Sequence, residues 1–423
     1  MSTPDLPVDA RRLTDFHLPA PLLDPTTLPP PILTSEPGSF AQDTLRRRIP
    51  AILQEAIDLN PDFDPLVRRG LDQLGIELSS GRIRALREAA PDVALWNAVS
   101  APCFGRSWLD VPWYWAEAYF YRRLLEVTGY FREGRWRGFD PFGAKKRTEW
   151  AATAATAAAA PAALEALLAG LPADPAARFE QLFHASLWGN RTDLSYMVAA
   201  HLGGTENSHA ERENLLADDT AATWEWLQAK RPSRIAIMAD NTGTELLMDL
   251  ALIDFLLETG LASTIHLYLK PQPFFVSDAM TADVKAGLDA LRAGGTAGRA
   301  LAERMDDALA CRNLTLVEHW FSATSLFYYQ LPDDLQAELA GMELVIFKGD
   351  VNYRRLLGDA HWLPTAAFAD AVSYFPAPLV ALRTLKGEII AGLVSGQAER
   401  LAVEDPAWLV NGRRGVIQAR LVG

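Results

Sequence analysis

A chain of 423 residues is long enough for two domains, and its 49% hydrophobic and 22% charged content describes an ordinary globular protein, not a disordered or coiled-coil one. Forty Lys and Arg against 53 Asp and Glu give a net charge of -13, the wrong sign for non-specific attraction to nucleic acid or to an anionic bilayer. The only two cysteines, Cys103 and Cys311, lack CxxC spacing, which argues against a disulfide framework or a thiolate zinc site and leaves two thiols expected to be free and buried.

The opening residues carry acids ahead of a proline run at Pro29 and have no apolar core segment, so they do not read as a secretory signal. Residues 1–40 are expected to form an extended arm, and the expected location is cytoplasmic. From Ala41 to Glu133 apolar residues recur at helical spacing, as in Ala51–Leu59 and Gly81–Ala90, with Pro50, Pro61 and Pro91 between the periodic stretches. The alanine-rich stretch Trp150–Leu171 is broken at Pro161 and is too short and too weakly apolar to cross a bilayer. A helical domain is therefore expected over 41–180, with the alanine-rich region as its boundary, and an α/β domain over 181–423.

After Asp218 short β-rich apolar runs alternate with helical segments, the pattern of a mostly parallel sheet covered by helices. Strands are expected at Arg234–Ala239, Thr264–Leu269, Leu314–His319, Glu343–Phe347 and Leu379–Arg383. Ligands of open α/β sheets bind beyond the carboxyl ends of the strands, so the residues after each run are the candidates. After the first comes Asp240-Asn241-Thr242-Gly243-Thr244-Glu245, after the second Lys270 to Asp278, and after the fourth Lys348-Gly349-Asp350-Val351-Asn352. Asp240, Asn241 and Asp278 supply hard oxygen ligands without His or thiolate, which suits Mg²⁺ or Mn²⁺. The plainer alternative is that Asp240 and Asn241 cap the following helix. Lys348 can neutralise a phosphate oxygen, or merely pair with Asp350. Arg383 and Lys386 place further positive charge in an acidic chain, which points to an anionic small ligand.

Two further segments are less specific. In Ser186-Leu-Trp-Gly-Asn190-Arg-Thr-Asp193-Leu-Ser195 the polar side chains of Asn190 and Asp193 either hold a domain interface or line a pocket. In Asp110–Arg123 the aromatics fall at helical spacing and read as core, with Glu117 and Arg122 as the exceptions. No phosphate-binding GxxxxGK[ST] loop, GxGxxG turn, GxSxG elbow or HExxH pair occurs.

Together, Ser186–Ser195, Asp240–Glu245, Val276–Asp278, Phe347-Lys-Gly-Asp-Val-Asn-Tyr-Arg354 and Arg383-Thr-Leu-Lys386 resemble subfamily III of the damage-control phosphatases, sugar-phosphate phosphatases also described as acidic-residue methyltransferases. The resemblance spans roughly Asp110 to Lys386. It implies a helical N-terminal domain on a Rossmann-like α/β domain and a phosphatase acting on small phosphometabolites such as fructose 1-phosphate. It also implies metal ligation by Asp240, Asn241 and Asp278, with Mn²⁺, Co²⁺ or Ni²⁺ favoured over Mg²⁺. Glu245 matches a substrate-contacting position, and Lys348 to Asn352, including Gly349 and Asp350, match the loop that holds the substrate. Thr242, Thr244 and the alanine-rich stretch depart from the family pattern. Two rival readings are an S-adenosylmethionine-dependent protein-glutamate O-methyltransferase and a non-catalytic sugar-phosphate binding protein. Against the first, the strand ending at Ala239 leads into Asp-Asn and not into a glycine-rich turn.

Overall fold

The computed structural model describes residues 6–11, 18–150, 160–189 and 214–422. Eight strands form one sheet: β1 (Val8–Arg11), β2 (Leu215–Asp218), β3 (Ser233–Met238), β4 (Ala262–Leu269), β5 (Leu314–His319), β6 (Leu344–Lys348), β7 (Leu379–Thr384) and β8 (Gly415–Arg420), in the order β1-β5-β4-β3-β6-β7-β8-β2. Every neighbouring pair is parallel except β7 with β8. This is the mostly parallel, helix-flanked α/β sheet expected from the alternating pattern. The chain leaves β3 to one side for β4 and β5, and β6 and β7 lie on the other. The carboxyl end of β3 is therefore the switch point, where the diverging connections open a crevice.

Alternation along β3 divides the core. Ile235 and Ile237 face one apolar cluster, which takes in the helices Ala160–Ala169, Pro175–Trp188 and Thr244–Glu258. Ala236 and Met238 face the other, which is continuous with the helices Ile49–Asp58, Pro65–Ser80 and Trp113–Thr128. The Trp113–Thr128 helix is buried at every position but Val127, so its aromatics are core, as their spacing indicates, and its charges must find partners inside.

The opening residues do more than form an arm. Val8–Arg11 adds β1 to the sheet edge beside β5, and Pro31 and Leu33 bridge to Ala360 and Pro112. Cys103 is buried as expected, whereas Cys311 lies exposed at the end of the Thr296–Ala310 helix. No helix among the described residues is long and apolar enough to cross a membrane.

Candidate active site

The loop after β3 turns into the Thr244–Glu258 helix through Gly243, whose φ of 71° requires glycine. It is zipped to the loop after β4: Asn241 and Asp278 form a backbone bridge, Thr242 N donates to Ser277 O at 2.8 Å, and Ala279 N donates to Asp240 O at 2.8 Å. Just before Asp278, Phe275 and Val276 both adopt the left-handed region, with φ of 45° and 59°. A β-branched residue is strained there, and packing must hold it. The Phe275 ring is held between Tyr121 at 4.9 Å and Tyr114 at 6.1 Å. The loop after β6 approaches from the other side. Gly349 has φ of 83°, and a Cβ at this position would sit 2.0 Å from Asp240 Oδ2, so both conformation and space demand glycine.

Asp240, Asn241 and Asp278 thus meet on one wall of a cavity of about 550 Å³ that also reaches Asp350 and Lys386 on the α/β side and Arg48, Glu55, Glu117 and Tyr121 on the helical side. The capping alternative is not what the structure shows. The Thr244–Glu258 helix has no side-chain cap. The bonds at Asp240 and Asn241 are instead Asn241 Nδ2 to Asp240 Oδ2 at 2.5 Å, Asn241 Nδ2 to Glu245 Oε2 at 3.0 Å, and Ser277 Oγ to Asn241 Oδ1 at 2.5 Å.

Negative charge is under-compensated at this wall. Burial pushes the Asp240 carboxyl well above its usual range, and the carboxylates of Glu245 and Asp278 push it further. Asp240 forms no ion pair among the described residues. Burial likewise raises Asp278 to about 6 against the opposing pull of Lys270 and Lys146. Lys270 lies 3.4 Å from Asp278 Oδ2, an oxygen that accepts no hydrogen bond, and the Thr242 hydroxyl is also buried without a partner. Lys146 is spent elsewhere, donating to Asp278 O at 2.8 Å and to Asp283 Oδ2 at 2.9 Å. No group of three His, Cys, Asp or Glu side chains among the described residues is placed to hold a metal. The candidate set is two carboxylates and an amide. Its excess charge, and an Asp278 oxygen that accepts no hydrogen bond and has only Lys270 at 3.4 Å, fit a hard divalent ion whose remaining ligands are water.

Lys348 requires a correction. The lysine expected to meet a phosphate oxygen or to pair with Asp350 is not among the residues lining the cavity and does not pair with Asp350. Its ammonium is fully buried and donates to Ser186 O at 2.5 Å, with Glu245 Oε1 at 3.1 Å and Asp249 Oδ1 at 2.9 Å. Burial works against this charge, but Asp249 and Glu245 outweigh it and hold the lysine protonated. Glu245 is therefore tied to Lys348 and Asn241, a carboxylate that orients the amide and is not one that faces the cavity. Asp350 pairs with Arg383 at 2.7 Å and accepts from Lys386 N at 3.2 Å. Burial opposes its ionisation, yet Arg383 and Arg354 keep its carboxyl below the usual range.

Asn352 and Arg383, expected at the substrate, are buried scaffolding. Asn352 Nδ2 donates to Lys348 O at 2.8 Å and to Ala239 O at 3.2 Å, tying the ends of β6 and β3 together, and its Oδ1 accepts from Tyr328. Arg383 donates to the carbonyls of Gly387 and Ile389 and lies 4.3 Å from the Tyr353 ring centre. Lys386 is the half-buried cation that does reach the cavity. Asn190 and Asp193 lie outside the described residues.

Sequence reasoning missed the socket of Lys348, although Asp249 falls one helical turn after Glu245 in an otherwise apolar helix. It also passed over Lys146 and Arg48, and it quoted Lys270 and Arg354 within motifs without giving either a role. Arg354 bonds Glu117 Oε2 at 2.6 Å and Asp359 Oδ1 at 2.7 Å and lies 3.6 Å from the Trp113 ring centre. Of the two charges singled out in that region, Glu117 lines the cavity, while Arg122 is locked to Asp92 at 2.7 and 2.8 Å in the helical core.

A crevice at the switch point of a mostly parallel sheet, with a crowded carboxylate pair and a cation facing one space, is where an α/β protein of this topology takes its ligand. The damage-control phosphatase ARMT1-like domain matches residues 44–401, and the chain belongs to that family, which makes it a phosphomonoesterase hydrolase. It is 30% identical to the damage-control phosphatase ARMT1 of Danio rerio, over 92% of this chain and 97% of that one, and 32% identical to that of Bos taurus, over 92% and 98%. The Mus musculus protein of the same name is 31% identical over 90% and 96%. Among solved structures, a DUF89 family protein from Pyrococcus horikoshii aligns over 90% of this chain and 97% of that one, with a TM-score of 0.46 at 15% identity.

Proposed function

We propose that the chain is a metal-dependent phosphatase of small phosphometabolites, sugar phosphates such as fructose 1-phosphate among them, working in the cytoplasm. The observation that carries the reading is the buried pair Asp240 and Asp278, converging on one cavity with too little positive charge to balance them. A divalent ion such as Mn²⁺, Co²⁺, Ni²⁺ or Mg²⁺ held by Asp240, Asn241 and Asp278 would act as a Lewis acid on a phosphoryl oxygen and acidify water.

The remaining work falls to the protein's own groups. Lys386 faces the same space and neutralises phosphoryl charge, and its main chain is fixed by the Asp350 carboxylate, which Arg383 holds in turn. Gly349 lets the β6 loop close on Asp240, and the buried Lys348 pairs with Glu245, which in turn orients Asn241. In this reading the 181–423 portion carries the chemistry and the 41–180 portion supplies the far wall, with Glu55, Glu117 and Tyr121 available to the hydroxyls of a sugar. The test is phosphate release from a panel of phosphometabolites after chelation and replacement with each metal. Metal-restored release from sugar phosphates is expected. Release that ignores both chelator and Asp240→Ala would refute the assignment.

A further inference from the structure

The carboxyl edge of the sheet carries a second cavity, of about 410 Å³, away from the switch point. Three strands end on it: Arg11 closes β1, Glu318 and Trp320 stand at the end of β5, and Pro271 and Gln272 follow β4. The facing wall comes from the helical region, with Asp92, Trp96 and Phe131. The charged groups of this lining are already spent. Arg11 pairs with Asp9 at 2.9 Å and with Glu338, and Asp92 accepts from Arg122 at 2.7 and 2.8 Å. Arg137 pairs with Glu133, and Glu318 Oε1 accepts from the Thr281 hydroxyl at 2.6 Å. Two neutral groups are unspent. Gln272 is only 9% exposed, yet its amide forms no hydrogen bond among the described residues. The indole N–H of the fully buried Trp96 has no partner either. Leaving a buried carboxamide unbonded is costly, and a ligand in this cavity would relieve that cost.

We propose that this second cavity is a regulatory site for an uncharged heteroaromatic ring with a donor and an acceptor side by side on one edge, the chemistry of a nucleobase, presented as a nucleoside. The Gln272 carboxamide offers the complementary acceptor and donor in one plane, the pairing by which glutamine reads adenine. Trp320 and Phe131 supply ring faces for stacking. Because the lining charges are paired among the protein's own groups, none is left over to select a phosphate or an ammonium. A cavity of about 410 Å³ accommodates a nucleoside. The link to the first cavity is one loop. Pro271 and Gln272 face the second cavity, Phe275 to Asp278 face the first, and Lys270 fastens the loop to the turn after β5 through Ser322 O at 3.0 Å. A ligand that engages Gln272 therefore bears on the placement of Asp278 six residues on.

The test is calorimetric titration of the full chain with adenosine, guanosine, cytidine and uridine, and with ribose as the control that lacks a base. None of these carries a phosphate to draw it to the Asp240 and Asp278 wall. At least one nucleoside should bind and ribose should not. Trp320→Ala should weaken binding about tenfold or more, with part of the loss recovered in Trp320→Phe. Gln272→Leu should weaken it by up to about tenfold, the scale of a neutral hydrogen bond. Asp240→Ala should bind the nucleoside as wild type does. Melting temperatures close to wild type show that the variants fold. Failure of all four nucleosides, binding that either Trp320→Ala or Gln272→Leu leaves unchanged, or binding lost in Asp240→Ala would overturn the site. The regulatory role is read in a second titration: saturating nucleoside should shift the affinity for Mn²⁺ about fivefold or more, and Gln272→Leu should abolish the shift. An Mn²⁺ affinity that ignores the nucleoside would overturn that role. Nucleoside binding is measured without turnover, so a chain that binds as expected but releases no phosphate would fail as a phosphatase and keep this site.

Discussion

Two clusters of buried charge lie within the same molecule and have opposite characters. In the helical region Arg123 holds Glu77 with two bonds, at 2.6 and 2.9 Å, and Glu126 at 3.0 Å, while Arg84 and the main chain of Arg87 complete Glu126 at 2.8 and 2.6 Å. Burial works against Glu126, but these bonds win, and its carboxyl sits below the usual range. At the carboxyl ends of β3 and β4 burial wins instead, and Asp240 and Asp278 are both pushed up. A buried acid whose bonds are complete belongs to the architecture. One left short of compensation beside an open cavity is a candidate to hold something else.

Substitutions at the two clusters should separate along that line. The largest effect is expected for Asp240→Ala, which removes a carboxylate from the incomplete cluster and should lower kcat/KM by roughly 10³-fold or more, with metal affinity lost in calorimetry and little change in melting temperature. Gly349→Ala comes next. The added methyl collides with Asp240 Oδ2 in a backbone conformation alanine resists, and a displacement of about 1 Å is enough for a loss of about 10²-fold in turnover. Arg123→Met should do the reverse, destabilising the fold by about 3–5 kcal/mol in denaturant titrations because it leaves Glu77 and Glu126 buried and short of charge, while the metal dependence of the remaining activity stays the same. Equal activity losses in Asp240→Ala and Arg123→Met, each in proportion to lost stability, would erase the distinction between the clusters.

The smallest effect concerns a completed acid at the sheet edge. Burial opposes the ionisation of Glu338, but its bonds to His266, at 2.8 Å, and to Arg11 bring its carboxyl down from 4.5 to about 2. A group depressed in the folded state adds stability above the unfolded value and loses it as pH falls toward the folded one. The gap in melting temperature between wild type and Glu338→Gln should therefore be fully open above about pH 4.5 and close as pH drops toward 2.

The interior strands were legible because a strand covered on both faces is an almost unbroken apolar run, as Ile235–Met238 and Leu344–Phe347 are. The outer ones were not. β1 is four residues with Asp9 and Ala10 exposed, β2 is equally short, and β8 carries Gln418 and Arg420 among its apolar positions. The strand ends also gave away Asp240, Asn241, Asp278, Asp350 and Lys386, since chain order alone puts them at the switch point. Lys348 misled because a lysine that ends a buried strand gives no sign of which way it turns, and the acids that claim it sit on a different element. Arg48 was beyond reach for another reason: only tertiary packing brings a helix so distant in the chain to face β3.

The position of β8 has a consequence for how the molecule is made. Residues 415–420 lie between β7 and β2, and among the described residues β2 has no other strand beside it. As the chain leaves the ribosome, the 214–218 segment emerges about two hundred residues before the strand it must lie against, and it waits unpaired through that interval. This flank of the sheet can close only after residue 420 is free of the exit tunnel.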